Sequence, residues 1–526
     1  MSETDVLIIG AGPTGLVLGL WLQTQGVKIR IVDLSDGPAP NSRALVVHAR
    51  ILELYRQLDL ADELLSRGYK LPATNVWVDG THRAHIPLTK FGEELTPYPY
   101  LLSLPQDEHE RLLERKLNSF GIFVERRTKL ESFVDNGSSI IARLFREEAG
   151  VESTCEATYI VGCDGAHSTV RRGIDANYEG DTYMPLFYVA DLVAEEQDSP
   201  FFNGEAHLNF VDDTFNLILP YVGERHVRLI GTTTPKTNGN QQSDMSEPHP
   251  EVSFEDVLPE IQKACKLQVK KINWFSTYRS HHRVADKFRS GRAFIVGDAA
   301  HIHSPVGGQG MNTGIMDAIN LAWKLATAIK YPSISDDAKD KLLDSYEPER
   351  RAFALKVVGA TDRGFTILTC PGILPHILRA WVIPYIAPLI TRFPSAREEI
   401  FRRGSQLVCC YRDSPLNQPT HGSDTLQPGD RLPWAKTEKC DNFSTLHEIC
   451  WQVHVYGDND PELGTWCEER NTRLIVFDWD EKFRKMGLKS NAAYLLRPDH
   501  YIAGIFEGPP LGPKIEDFFT LHGLVS

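Results

Sequence analysis

The sequence predicts an α/β protein in which a Rossmann-like nucleotide-binding domain is interrupted by a sheet-rich second domain and followed by a separate C-terminal unit. Three observations predict it. Residues 5–33 read strand, glycine turn, helix, strand; the stretch from about 180 to 280 changes to short alternating strands; and after residue 290 a strand leads through a glycine-rich loop into a long helix. A chain of 526 residues has length for two or three packed units.

The first strand, Asp5-Val-Leu-Ile-Ile, runs into Gly10-Ala-Gly-Pro-Thr-Gly15, a helix from Leu16 to Gln25 follows, and Lys28-Ile-Arg-Ile-Val-Asp33 completes a βαβ unit. From there to about Asn75, Leu52, Leu54, Tyr55, Leu58, Leu60, Leu64 and Leu65 recur at helical spacing, as in helices that lay one face on a core. Ala206-His-Leu-Asn-Phe-Val and Phe215-Asn-Leu-Ile-Leu are short strands of the second domain, and the polar run Pro235 to Pro250 reads as a surface loop. Ala293-Phe-Ile-Val-Gly-Asp298 and a helical stretch from Met311 to Lys330 restore the α/β pattern, so the nucleotide-binding domain is discontinuous. Ile367 to Phe393 is apolar but broken by Pro371, Pro375, Pro384 and Pro388 and carries His376 and Arg379, which predicts no spanning helix but packed amphipathic helices, with contact to a membrane surface as the lesser alternative. The last unit, from about Ser405, contains two strand-like runs, Arg473-Leu-Ile-Val-Phe and Ala493-Tyr-Leu-Leu.

Composition narrows the partners. A net charge of -14 without a basic stripe would repel a phosphate backbone, so no nucleic acid is expected. Nine scattered cysteines without a CxxC pair suit reduced thiols in a cytoplasmic compartment, and suggest no metal site. The N-terminus passes almost directly from Met1 into the apolar Val6–Ile9, which leaves no signal peptide to expect.

The chemistry begins at Gly10, Gly12 and Gly15, the G-x-G-x-x-G positions between a strand and a helix, where backbone N–H groups can meet a pyrophosphate unhindered by side chains. Asp33, at the end of the next strand, is placed to accept a hydrogen bond from a ribose hydroxyl, so an adenine dinucleotide is implied. His301 and His303 stand two residues apart in a loop without a third ligand, which favours structural roles over metal binding.

Two further segments come next in chain order: Gly162-Cys-Asp-Gly-Ala-His-Ser-Thr-Val-Arg171 and Gly297-Asp-Ala-Ala-His-Ile-His-Ser-Pro-Val-Gly-Gly-Gln-Gly-Met-Asn312. They resemble the fingerprints of the flavoprotein aromatic hydroxylases, the group that includes p-hydroxybenzoate hydroxylase and phenol hydroxylase. The resemblance extends to Ser42-Arg-Ala, Gln106 and the approach from Arg283-Val-Ala to Gly291-Arg-Ala, and covers nearly the whole chain. It implies FAD as cofactor, NADPH or NADH as a transiently bound cosubstrate, and O2 and a small aromatic substrate as partners. The implied activity is hydroxylation of a phenolic or polyketide-like ring through a flavin hydroperoxide, with secondary metabolism as one setting. Epoxidation, dearomatisation or Baeyer–Villiger insertion would use the same cofactor, and a flavin-bound sensor or scaffold is the reading from another class.

By the same resemblance, Arg43 and Gln106 contact the diphosphate and ribose region, Asp164 lies near the pyrophosphate, and Asp298 holds hydroxyls of the ribityl chain. Gly310, Met311 and Asn312 bring backbone and a helix N-terminus to the flavin ring, which becomes anionic when reduced. Pro305 matches the proline of the loop over the flavin. A phenol with a pKa near ~10 must be helped to deprotonate. The aspartate that phenol hydroxylase places ahead of its R-x-L-E helix start is Leu45 here, so Tyr221 becomes the first candidate for that hydroxyl, with Arg225, Arg228 or His207 as sources of positive charge.

The implied organisation is an FAD-binding domain in three parts (1–75, 101–180, and 281–404 with a helical linker), a substrate domain in two (76–100 and 181–280), and a C-terminal domain (405–526). Pro428-Gly-Asp-Arg-Leu-Pro, Phe443-Ser-Thr-Leu-His and Leu496-Arg-Pro-Asp-His-Tyr-Ile in that last domain resemble the thioredoxin-like tail of phenol hydroxylase without its CxxC. Packing or homodimer formation is its expected use.

Overall fold

The computed structural model describes residues 2–39, 44–195, 200–211, 214–220, 225–233, 252–265, 268–304, 306–369, 377–419 and 425–524. Ten elements position the site: β1 (Ser2–Ile9), α1 (Pro13–Thr24), β2 (Ile29–Val32), α2 (Gln106–Ser119), β3 (Val151–Gly162), β4 (Tyr178–Ala194), β5 (Val269–Ala285), β6 (Ala293–Ile295), α3 (Gln309–Lys330) and α4 (Tyr346–Thr369).

Val6 to Ile9 is apolar without alternation because β1 is buried on both faces. It pairs in parallel with β2 (Val6 opposite Ile29) and with β3 (Leu7 opposite Ile160), and β3 pairs in parallel with β6 (Val161 opposite Phe294). Three separated stretches of chain therefore meet in one sheet, and the loops after β1, β3 and β6 open at the same carboxyl edge. That edge is where open α/β sheets bind ligands. Helix α1 is apolar all round because it lies between this sheet, α2 and α3, with Leu16, Leu20, Trp21 and Leu22 fully enclosed. Each such side chain contributes about 1.5–3 kcal/mol of transfer free energy.

The second sheet has eight strands, in the order His301–Ile302, β5, β4, His226–Thr233, Thr214–Pro220, Ala206–Val211, Ala73–Val78, Thr81–Pro87. The two 17-residue strands β4 and β5 run antiparallel along most of their length. Because His301–Ile302 pairs with Arg283 and Val284 of β5, the chain between β6 and α3 is held by both sheets.

The C-terminal unit is a four-stranded sheet, ordered Arg473–Phe477, Gln452–Tyr456, Ala493–Leu496, Ile502–Phe506. Two of these strands match the runs expected at Arg473 and Ala493; the other two, Gln452–Tyr456 and Ile502–Phe506, are not among the expected runs. The cysteines among the described residues carry free thiols, including Cys409 and Cys410.

One expectation is corrected. The helices Ile383–Ile390 and Pro394–Gly404 do form, but the stretch is packed only in part: Pro384 and Phe401 are buried, while Trp381, Leu389 and Phe393 are all more than half exposed. Pro384 and Pro388 stand within the helical stretch, which packs one side on the strand Thr81–Pro87 and leaves the other open. No helix among the described residues is long and apolar enough to cross a membrane.

Candidate active site

The glycine turn after β1 is shaped by contacts that admit no side chain. Gly10 has φ +103°, and a Cβ there would lie 2.3 Å from the carbonyl oxygen of Cys163. A Cβ at Gly15 would lie 2.0 Å from the carbonyl of Gly10. Gly12 differs, since a Cβ there would meet no protein atom within 4 Å. It is the N-cap of α1 and has no capping side chain, so the first amides of the helix are left for an outside acceptor. Asp33 fixes the turn from β2: its Oδ2 accepts the amide of Ala11 at 2.6 Å and its Oδ1 accepts the amide of Ser35 at 2.8 Å.

After β3, Gly165 (φ +73°) and Cys163 face the same space, while Asp164 turns inward. Its Oδ2 accepts the amide of Thr169 at 2.6 Å, and its Oδ1 is buried with no partner among the described residues. Burial pushes the Asp164 carboxyl up. Arg171, mostly buried, joins two loops: it donates to the carbonyls of Ala166 (2.8 Å) and Ala299 (3.1 Å) and lies 4.0 Å over the Tyr178 ring. Tyr178 in turn donates to the carbonyl of Asp298 at 2.9 Å.

After β6, the chain turns at Gly297 (φ +60°), leaving the Asp298 side chain exposed on the cleft wall. Gly307 and Gly308 both take positive φ, and α3 starts behind them without a side-chain cap, its first turn formed by Gln309, Gly310 and Met311. Asn312 is fully enclosed and holds the loop, donating to the carbonyls of Val46 and Gly308 and accepting the amide of His48, each at 2.9 Å. Two residues further, Gly314 is pressed against Thr14 of α1; a Cβ would lie 2.5 Å from its Oγ1. Asp317 accepts from His301 (2.6 Å), Arg350 (2.6 Å) and the amide of Gly297 (3.1 Å). Burial alone would raise its carboxyl, but Arg350 and His301 hold it below the usual range. His301 is thus a structural partner of Asp317.

These loops enclose a cleft of about 420 Å³ lined by Gly12, Thr14, Gln106, Gly165, Asp298 and Met311, with Tyr278, Arg279 and His281 of β5 on the opposite wall. A larger cavity of about 760 Å³ lies between α4 and residues 403–414 and shares Gln309 with it. The smaller one is the candidate site, because both uncapped helix N-termini border it. Gln106, the first residue of α2, is tied to the Ala44 amide (3.4 Å) and to Glu110 (2.8 Å).

Of the other residues singled out in the sequence, Arg43, Tyr221 and Pro305 lie outside the described residues. Arg225 is exposed, with φ +59°, in the turn before His226–Thr233, and is not among the residues lining the cleft. Arg228 is buried against Asp191 (3.0 Å), and His207 is buried between Trp77 (3.1 Å) and Asn203 (2.9 Å), its pKa lowered to about 4 by burial. Thr14, Arg171 and the Tyr278–His281 wall were not singled out; Arg171 alone carried a signal, closing the second fingerprint.

Backbone N–H groups with no side chain in front of them at Gly12, a carboxylate at Asp298 and a second free helix N-terminus at Gly310 along one cleft are a donor and acceptor set that fits a long anionic dinucleotide bearing a flat ring. Comparison with known proteins agrees. Residues 3–361 match the FAD binding domain family. The chain is 33% identical to 6-methylpretetramide 4-monooxygenase of Streptomyces rimosus, over 95% of this chain and 90% of that one. It is 32% identical to an uncharacterized aromatic compound monooxygenase, YhjG, of Bacillus subtilis, over 96% and 94%. The solved structure of OxyS anhydrotetracycline hydroxylase from Streptomyces rimosus superimposes with a TM-score of 0.77 at 25% identity, covering 100% of both chains.

The chain belongs to the FAD-binding monooxygenase family, with the α/β fold of that family. It is a flavin-dependent monooxygenase of the aromatic hydroxylase type.

Proposed function

We propose that the protein inserts one oxygen atom of O2 into a phenolic or polyketide-like aromatic substrate at the expense of NAD(P)H and one proton, giving the hydroxylated product, water and NAD(P)+. The observation that carries this reading is the single cleft bordered by the free N-termini of both α1 and α3. FAD bound there, once reduced by NAD(P)H, supplies the electrons and the activation of O2.

The protein's own residues divide the work. Gly10, Gly12 and Gly15 let the α1 N-terminus meet the diphosphate, with Arg43 adding charge; Asp33 serves a ribose hydroxyl and Gln106 the same region. Asp164 acts on the pyrophosphate region through the Thr169 turn it caps, and Asp298 serves the ribityl chain. Gly310 and Met311 give the α3 N-terminus access to the ring, where its partial positive charge favours the reduced anion; Asn312 holds that loop in place. Tyr221, Arg225 and Pro305 remain the proposed substrate-side residues, Tyr221 toward the substrate hydroxyl. The 1–75, 101–180 and 281–404 segments form the FAD-binding domain, 76–100 and 181–280 the substrate domain, and 405–526 a thioredoxin-like domain without redox chemistry, used in packing or in a homodimer. The names of the relatives, a pretetramide monooxygenase and an anhydrotetracycline hydroxylase among them, support a polycyclic aromatic substrate and a place in secondary metabolism.

The deciding experiment is NADPH and NADH oxidation by the purified yellow protein against a panel of phenols and polycyclic aromatics under isotopically labelled O2. A stimulated rate with one labelled oxygen in the product is expected. Oxidation that yields only hydrogen peroxide with every compound would overturn the reading.

A further inference from the structure

His303 lines the same cleft and is about nine-tenths buried. Its Nδ1 lies 3.0 Å from the carbonyl oxygen of Ser304, and a carbonyl can only accept, so Nδ1 carries the proton. Nε2 is then the bare acceptor of a neutral imidazole. It is buried and has no hydrogen-bond partner among the described residues. It sits against the start of α3: a methyl group at Gly310 would lie 3.7 Å from it. Burial lowers the pKa of the ring to about 4, so Nε2 stays unprotonated at neutral pH. A buried acceptor with nothing to accept is costly, and one beside a ligand cleft is satisfied by the ligand.

Its protonation state restricts what it can bind. A phenolate or a carboxylate would set lone pair against lone pair, and so poor a base would not take a proton from a phenol. Resting on the reading of the cleft given above, we propose that Nε2 of His303 accepts a hydrogen bond from a neutral N–H or O–H donor of the ligand held against the N-terminus of α3. Beside the amides of Gln309, Gly310 and Met311, which donate, it completes a donor and acceptor pair of the kind that a cyclic amide edge or a neutral hydroxyl would match. If the donor is a substrate hydroxyl, it is one that stays protonated through the reaction.

The test compares His303→Leu, which deletes the acceptor, with His303→Gln, which retains one. FAD affinity of the apoproteins, read by flavin fluorescence, covers a cofactor donor. Binding of a phenol that stimulates NADPH oxidation, against that of its methyl ether, covers a substrate donor. The leucine variant is expected to lose about tenfold in one of these two affinities, with the glutamine variant recovering most of it. Loss for FAD assigns the donor to the cofactor; loss for the phenol but not its ether assigns it to the substrate. A folded leucine variant equal to wild type in both overturns the proposal. Should that variant not fold, the nitrogen NMR shift of Nε2 in the wild-type protein decides, and a value unchanged between the apo, FAD-bound and phenol-bound forms overturns it. Wild-type protein that binds FAD yet inserts no oxygen would remove the hydroxylase reading while leaving the FAD comparison valid.

Discussion

Arg497 and Glu349, both fully buried, face each other through two parallel hydrogen bonds, Nη1 to Oε1 at 2.7 Å and Nη2 to Oε2 at 3.0 Å. Arg497 closes the third strand of the C-terminal sheet, and Glu349 stands in the first turn of α4, so the pair joins the C-terminal unit to the helix that also carries Arg350. Lys324 of α3 shares the same carboxylate at 2.8 Å. Arg497→Leu would leave that carboxylate with Lys324 as its one remaining cation among the described residues, beside the neutral donors Asn320 and Ser414, and a loss of about 3–5 kcal/mol is expected. Thermal unfolding with and without FAD checks it, and a melting temperature equal to wild type would show that the domains are held by other contacts.

Acid should act through the same pair. Burial alone would raise Glu349, but Arg497 and Lys324 hold it well below the ordinary carboxylate range, and Asp317 is depressed likewise by Arg350 and His301. A depressed carboxyl contributes stability that is fully present above its unfolded value, about 4, and is lost as pH falls through the folded one. Melting temperatures between pH 7 and 3 should therefore fall steeply below pH ~4. Glu349→Gln should be less stable at pH 7 and show a shallower fall; an unchanged slope would exclude Glu349 as a source of the acid sensitivity.

The glycines of the first turn should respond differently to one added methyl group. Gly10→Ala forces a Cβ against the Cys163 carbonyl at positive φ, and unfolding or aggregation is the expected result. Gly12→Ala meets no protein atom, so the chain should fold with a native melting temperature and lose FAD affinity by roughly tenfold, ~1.4 kcal/mol. Equal effects at the two positions would mean that the amides of α1 do not face the cofactor.

Arg171 touches no space that a substrate would fill, yet it ties the Ala166 carbonyl of one loop to the Ala299 carbonyl of another. Arg171→Leu should leave one buried and one half-buried carbonyl without this donor, costing about 1–3 kcal/mol, and weaken FAD while leaving the KM for the aromatic substrate unchanged. Steady-state kinetics at saturating FAD separates these two effects.

Much of this site was legible in the sequence because glycines at a strand-to-helix turn report directly on backbone geometry: Gly10, Gly297 and Gly308 all take positive φ. Side-chain direction was less legible. Asp164 and Asn312 belong to the fingerprints, yet their side chains turn inward, Asp164 to the nearby Thr169 amide and Asn312 to the carbonyls of Gly308 and of Val46, which stands 266 positions away. The wall at Tyr278 to His281 was also invisible. It faces the cleft only through the long pairing of β5 with β4, in which Tyr178 stands opposite Ala285, and no local pattern encodes that register.

The parallel sheet built from three separated stretches also sets a schedule for synthesis. The strand Ala293–Ile295 pairs with β3, whose partner β1 left the ribosome first, and the helix that ends the cleft finishes only at Lys330. At roughly 5–20 residues per second, synthesis leaves the nascent glycine turn waiting tens of seconds for its neighbours. Until Val151–Gly162 arrives, the edge of β1 that it covers is unpaired and Gly10 lacks the Cys163 carbonyl it packs against.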